Sequence, residues 1–528
     1  MVRGFAKSRM NGTGHFIYAS GMRKGDSFMR IQFDPNRVLH TRSPMIYGHF
    51  LEHFHRQIYG GIYMPGHPLS DEDGFRQDVL SALRRIRVPV IRWPGGCFVS
   101  AYHWKNGVGS PRTPAFDKAW RVEDPNTFGT DEFIRLCRKL GCEPYICTNA
   151  GSGTQEEMSD WVEYCNLPKE GQFARMRAAN GSPEPYGVRY WSVGNENYLD
   201  GEIGSKTHAQ WGRFVREAAK MMKRVDPGLQ LSAAAIADID WNIGLLKEAG
   251  PWLNWISIHG YWDELWQNDS PAAYEQCMAR TEDLEKDVRI IRGLLSAFGL
   301  EKRIRIAYDE WNLRGWHHPA VDTAPLGDTA FLEARNRNDL NSTYTMADAV
   351  FSACFLNMLL RNADLVGMAN FAPTVNTRGL IFTHDQGIVL RTTYYVFELY
   401  TRLMGEEVLD AWIREVPEMM LKDRFGKEHS VKQVDAVATR HLSDGSLAVS
   451  LVNKHPDTAA EVCLSLPAGF TVTELHVLTG PAPDSYNDIG SEPVHPEIRS
   501  ELISAEENGS LRVSLPPHAV CILTAKPA

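Results

Sequence analysis

The sequence predicts an α/β fold: a (β/α)8 TIM barrel over residues 45–404, followed by a C-terminal antiparallel β-sandwich over residues 405–528. Two patterns carry that prediction. From about residue 45 to 400 short apolar runs alternate with amphipathic stretches, the signature of a parallel sheet built from βα units. After about residue 405 the hydrophobic period drops to two. A 528-residue chain has room for both units and for a full apolar core in each.

Residues 1–28 carry basic side chains but lack the apolar stretch of about 7–15 residues that a secretory signal needs, so they read as a disordered lead-in. Order begins at Met29, where MRIQFDP alternates like a strand, and residues 29–44 are expected to join the sandwich. The barrel strands follow as MIYGHFLE (45–52), PVIRWPGG (89–96), EPYICTNA (143–150) and VRYWSVGNE (188–196). Four more are QLSAAA (230–235), WISIHGY (255–261), IRIAYDEW (304–311) and LVGMANFA (365–372).

Helix signals stand between them. Thr207 is an N-cap ahead of Trp211, Phe214, Val215, Ala218, Met222 and Val225 on one face, and Asp226-Pro227 stops the run. Another helix begins at Thr130, buries Phe133, Ile134, Cys137 and Leu140, and ends at Gly141, a good residue for a left-handed cap. In the last region AVATRHL and SLAVSLVNK flank Ser443-Asp444-Gly445-Ser446, and Asn508-Gly509 precedes SLRVSLP; both read as hairpins.

Composition narrows the partners. Lys+Arg 56 against Asp+Glu 65 leaves a net charge of −9, which argues against a nucleic-acid surface. No apolar run approaches the ~18 residues of a membrane helix, so no membrane partner is expected. Nine cysteines, an odd number without a repeated CxxC, read as reduced thiols of a cytoplasmic protein. Flat aromatic faces suit sugar rings, whereas a large barrel also buries tryptophan in its core. Of the 14 tryptophans, Trp93, Trp104, Trp191, Trp262, Trp311 and Trp316 all lie in or just after barrel strand ends, so the greater share is expected around a sugar pocket.

Reactive groups of such a barrel sit at the C-terminal ends of its strands. Those ends carry Glu52, Cys97, Asn149, Asn195-Glu196, His259 with Tyr261, Asp309-Glu310 and Asn370. Glu196 on the fourth strand and Glu310 on the seventh face one funnel. A glycosidic bond breaks with one proton donor and one nucleophile or base, so two carboxyls in different environments are the minimum equipment. Asn195 is placed to hydrogen-bond a sugar hydroxyl beside the reacting carbon.

Other chemistries fare worse. His49, His53 and His55 imitate the start of a metal-dependent barrel, but the Lys on strand four and His on strand five of that class are missing, and there is no HExxH; no metal or cofactor is expected. Gly107-Val108-Gly109 lacks a phosphate-loop context, and Cys97 has no identifiable histidine base. Glu52 could instead pair with Arg56 or Arg92, and Trp120 could be a core residue.

These residues resemble the α-L-arabinofuranosidases of glycoside hydrolase family 51. The resemblance runs through YGHFLEHFHRQIYGGIY (47–63), IRWPGGCFVSAYHWKNGVGSPRTP (91–114), KAWRVEDPNTFGTDEF (118–133), YWSVGNEN (190–197), ISIHGY and YDEWN (308–312), and covers roughly residues 29–528. It implies Glu196 as general acid/base and Glu310 as nucleophile of a retaining, exo-acting, metal-independent enzyme. It places Glu52, Cys97, Asn195 and Tyr261 on the furanose and Trp120 on the aglycone side.

The implied substrates are oligosaccharides from hemicellulose or pectin, and the implied assembly is a homo-oligomer, a hexamer. Part of the family has Asn where Cys97 stands. Where many members read Ala-Gln-Leu-Val-Asn, this chain reads Ala372-Pro373-Thr374-Val375-Asn376, which leaves the glycone open: a galactofuranoside, a xyloside or a β-glucan are the other enzyme readings. The stretch from Asn312 to Asn341, with Trp316, His317 and His318, reads as a lid. A non-catalytic sugar-binding barrel is the reading from a different class.

Overall fold

The computed structural model describes residues 29–265, 270–316, 339–506 and 510–528. The lead-in of residues 1–28, the His317-His318 part of the expected lid and the Asn508-Gly509 turn lie outside the described residues.

Eight parallel strands form the barrel: β1 (Gly48–Phe50), β2 (Val90–Trp93), β3 (Glu143–Thr148), β4 (Tyr190–Val193), β5 (Gln230–Ala233), β6 (Trp255–Leu265), β7 (Arg305–Trp316) and β8 (Val366–Phe371). They pair in the order β5-β4-β3-β2-β1-β8-β7-β6. The ring closes between β5 and β6 through a bridge of Ala234 with Ser257. Two backbone bonds support that seam, from Ala235 N–H to Ser257 O and from Asn254 N–H to Leu231 O, both 2.9 Å.

Each strand is followed by at least one helix. The helix His208–Val225 starts at Thr207, whose side chain accepts from Gln210 N–H, and buries Trp211, Val215, Ala218 and Met222. Thr130–Leu140 ends at Gly141 with φ 71°, a left-handed cap that suits glycine. Met346–Arg361 is buried from Met346 to Leu360 because it lies between barrel and C-terminal sheet, which explains a sequence apolar on all sides. Among the described residues no helix is long and apolar enough to cross a membrane.

The strand pleat layers the barrel interior. Val90, Tyr145, Tyr190, Trp255, Ala307 and Met368 form a small apolar cluster that plugs its floor. Two residues further along β2, β6 and β7 the lumen turns polar, at Arg92, Ser257 and Asp309.

The same pleat overturns the expectation for tryptophan. Trp93, Trp191 and Trp311 are fully buried and face the helices: Trp93 stacks on Phe133 at 4.9 Å, Trp161 meets Trp191 edge-on at 5.9 Å, and Trp311 stacks on Phe355 at 4.0 Å. Trp104 packs parallel to Trp161, and Trp262 packs on Phe351 and Phe355. These five rings build the core rather than a sugar pocket, each removing an apolar surface worth about 2–3 kcal/mol from water. The Trp316 side chain lies outside the described residues.

Beyond the barrel a ten-stranded, mainly antiparallel sheet encloses a second core. Val434–Arg440 and Leu447–Asn453 form the hairpin around Ser443-Asp444-Gly445-Ser446, with Gly445 at φ 72°. Met29–Thr41 lies antiparallel to Glu407–Arg414 and contributes Met29, Ile31 and Phe33 to this core. Its other edge pairs with Ala460–Ser465 in parallel, the sheet's one departure from antiparallel order among the described strands.

Candidate active site

Glu196 follows β4 after a sharp turn, with Gly194 at φ 71° and Glu196 itself at φ 47°. A non-glycine residue in that left-handed region is held there by its surroundings, and such strain concentrates at functional sites. Glu310 is placed by a different device. Ala307 pairs with Ser257 and Glu310 with His259, so β7 fits three steps against two on β6. This bulge lets the consecutive Asp309 and Glu310 both face the lumen, where a regular strand would send one of them out.

The bulge assembles a buried network. Arg92, fully buried on β2, donates from Nη1 to Glu310 Oε1 at 2.5 Å and from Nη2 to Asn195 Oδ1 at 2.8 Å. Tyr261 Oη donates to Glu310 Oε2 at 2.7 Å. Asp309 accepts from Tyr145 at 2.7 Å and Ser257 at 2.5 Å. Burial would raise the Asp309 carboxyl, but Arg92, His259 and Ser257 hold it below the usual range.

His259 Nδ1 lies 2.8 Å from Glu196 Oε1 and 3.7 Å from Glu310 Oε2, and its Nε2 is 3.4 Å from Asp309. Burial disfavours its charge, yet Glu310, Asp309 and Glu196 outweigh burial and raise the ring to about 10. Burial pushes Glu196 up, while the His259 bond and charge, with Arg92 and Tyr198, take it below the usual carboxyl range. One side-chain oxygen from each of Glu196 and Glu310 and a ring nitrogen of His259 lie within 4.8 Å of one another.

The other sequence-predicted residues ring this centre. Glu52 is 4% exposed and pairs with neither Arg56 nor Arg92; its Oε1 accepts from Phe98 N–H and from Trp120 Nε1, both at 3.1 Å. Burial, then the Glu310 charge, push Glu52 up to about 8. Trp120 is half-buried rather than a core residue, held at the tip of a hairpin where Asp117 accepts from the Ala119 and Trp120 amides. Cys97 is half-buried beside Glu202 and Glu196. Asn195 keeps a buried Nδ2 with no hydrogen-bond partner among the described residues, a donor available to a bound group.

Glycines 95 and 96 are required by this crowding. A Cβ at Gly95, where φ is 149°, would lie 2.3 Å from Glu52 Cγ, and one at Gly96 2.9 Å from Glu310 Oε1.

Several strand-end polar residues prove structural. Asn149 holds the Tyr102 carbonyl and Asn370 the His49 carbonyl. The three histidines do not converge: His49 packs on Phe371 and Phe397, His53 bonds Asp124, and His55 neighbours Asp339. Three participants were missed from sequence: Arg92, Glu202 and Arg378. Arg92 had a signal, as the lone charge inside the apolar run VIRW. Arg378 had none, since it comes from beyond β8; its Nη2 donates to Tyr261 Oη at 3.3 Å and its guanidinium lies 5.0 Å from the Tyr261 ring.

A family model described as Alpha-L-arabinofuranosidase 1 domain matches residues 82–280, and one described as Alpha-L-arabinofuranosidase C-terminal domain matches residues 309–519. The chain is 34% identical over 473 residues to alpha-L-arabinofuranosidase C of Emericella nidulans, spanning 84% of this chain and 89% of that protein. It is 33% identical over 488 residues to an intracellular exo-alpha-(1->5)-L-arabinofuranosidase of Halalkalibacterium halodurans, spanning 89% of this chain and 93% of that one. The solved GH51 alpha-L-arabinofuranosidase of Thermotoga petrophila matches with a TM-score of 0.81 at 33% identity, covering 94% of this chain and 99% of that chain.

Proposed function

The chain belongs to the α-L-arabinofuranosidases of glycoside hydrolase family 51, and from that membership we propose a retaining, exo-acting enzyme that removes terminal α-L-arabinofuranosyl groups from oligosaccharides. The observation that carries the mechanism is the approach of a Glu196 oxygen to a Glu310 oxygen within 4.8 Å, which fits the short carboxyl separation of about 5–5.5 Å in retaining enzymes.

In the first step Glu310 attacks the anomeric carbon, the glycosidic bond breaks, and the leaving oxygen takes a proton from Glu196. In the second step Glu196 takes a proton from water, whose oxygen displaces the Glu310 ester. Arg92 and Tyr261, one on each Glu310 oxygen, keep that carboxylate aimed. In the free site the shared proton rests on the His259 side of the His259–Glu196 pair; a bound sugar excludes water, strengthens the burial effect on Glu196 and draws the proton to it. Asn195 Nδ2, Glu52, Cys97 and Trp120 are the sugar contacts of this reading.

The test is proton NMR of the first-formed product from p-nitrophenyl α-L-arabinofuranoside. Retention of the α anomer supports the mechanism, and an inverted first product or no turnover overturns it. A second reading, another glycone by the same chemistry, is favoured by Arg378. In the segment that lacks the family's Gln, Thr374 binds Phe50 and Asn376 binds the Arg56 carbonyl, so Arg378 is the side chain that reaches Tyr261. A panel of nitrophenyl galactofuranoside, xyloside and glucan substrates separates the two. The relative named intracellular supports a cytoplasmic site acting on α-(1→5)-linked oligosaccharides. Family resemblance supports a hexamer, which light scattering tests.

A further inference from the structure

We propose that Cys97, Glu202 and Glu196 form a binding site for a thiophilic divalent cation of the Zn2+ or Cd2+ class, and that its occupation blocks the sugar pocket. Cys97 Sγ and one carboxylate oxygen from each glutamate lie within 4.8 Å of one another. Tetrahedral zinc, with bonds of about 2.0–2.3 Å, holds its ligand atoms about 3.3–3.8 Å apart. A contraction of about 1 Å, within the reach of side-chain rotation, therefore closes the three groups on one ion, with water as the fourth ligand.

An independent observation points to a ligand. Glu202 is 7% exposed; its carboxyl interacts with Ser100 and with the Cys97 thiol, yet its Oε1 is buried with no hydrogen-bond partner among the described residues. A buried acceptor left unmatched is costly, and a cation would satisfy it. Nothing in the proposed hydrolysis uses Glu202. Burial, then the acidic Glu202, Glu196 and Glu52, hold the Cys97 thiol protonated in the free site, so an ion that offsets those carboxylates must also displace the thiol proton. On its other side Glu196 uses Oε1 for His259 and Tyr198, which leaves Oε2 for the ion.

Binding is a proton exchange: the Cys97 S–H bond breaks, its proton goes to solvent, and a sulfur–metal bond forms. The ion is an inhibitor here rather than a cofactor, because it captures the carboxylate assigned the proton transfer. That inhibitory consequence rests on the proposed function, whereas the binding itself does not.

The experiment titrates the intact protein with Cd2+ and follows the thiolate-to-cadmium charge-transfer absorption. One equivalent should produce the band. Cys97→Ser, with Cys97→Ala as a second variant and thermal melting as a check of folding, should abolish it. Glu202→Gln should weaken Cd2+ binding by about tenfold or more. Zn2+ should raise KM for the nitrophenyl arabinofuranoside without lowering kcat, and a chelator should reverse it. The proposal is overturned by a wild-type protein without the band, by an undiminished band in folded Cys97→Ser, or by unchanged affinity in Glu202→Gln. Absent arabinofuranoside turnover alongside an intact Cd2+ response would reject the substrate assignment and leave the ion site standing.

Discussion

The ends of β4 and β7 present the same side chain to one funnel and treat it in opposite ways. Glu310 receives Arg92 on one oxygen and Tyr261 on the other, two donors whose own protonation is fixed far above neutral pH. Glu196 receives His259, a group whose charge depends on a proton that the two can share. A nucleophile needs a constant aim, and a proton carrier needs a partner that can give and take. The difference between the two surroundings supports the proposed roles, Glu310 as nucleophile and Glu196 as acid/base.

That contrast can be broken most severely at Glu310. Glu310→Ala should lower kcat/KM by roughly ten-thousandfold on every substrate, whatever the leaving group. Glu196→Ala should cost about a hundredfold to ten-thousandfold with poor leaving groups, far less with dinitrophenolate in the first step, and azide should restore part of the second step. Equal losses across leaving groups would reverse the assignment. His259→Gln sharpens the contrast through pH. With His259 present, the pair loses its proton as pH rises through about 10; without it, Glu196 must hold the proton alone, so the basic limb of kcat/KM should move to lower pH.

The stability sign follows from the same shift. The raised His259 stabilises the fold fully below pH 6.5 and loses that contribution as pH rises towards 10, so His259→Gln should flatten the fall in melting temperature across that window. Arg378→Met removes the hydrogen bond behind Tyr261 and should raise KM by about tenfold with a smaller change in kcat. The smallest effect is expected at Glu52. Its carboxyl rises from 4.5 to about 8 on folding, so its burial destabilises the protein increasingly between those pH values. Glu52→Gln should gain roughly 2–4 °C in melting temperature at pH 8, less at pH 5, while losing activity.

Much of this was legible beforehand, because barrel strands announce themselves by length and spacing and their C-terminal ends collect the chemistry. That reasoning nominates Glu196 and Glu310, and the structure brings an oxygen of each within 4.8 Å of the other. Orientation within a strand was the harder quantity. Trp93 and Trp311 each sit one residue from a lumen-facing group, Arg92 and Glu310, so the pleat turns both rings towards the helices. Counting strand ends without applying that alternation put them in the wrong place. The bulge that turns both Asp309 and Glu310 inward depends on how β6 and β7 pair, and local sequence carries no record of it. Arg378 and Glu202 arrive from loops, whose paths are set by tertiary contacts rather than by periodicity.

The β5–β6 seam gives the barrel a place to breathe. β6 and β7 are joined along nine residue pairs, while β5 and β6 meet at one bridge and two backbone bonds. Amide hydrogens at Ala235 and Asn254 should therefore exchange with solvent through a smaller opening than those shared by β6 and β7. Ser257 stands on that seam and also holds Asp309, the carboxylate beneath His259. A slow rupture of the ring would loosen the floor under His259 while leaving the strand that bears Glu310 zipped to its neighbours.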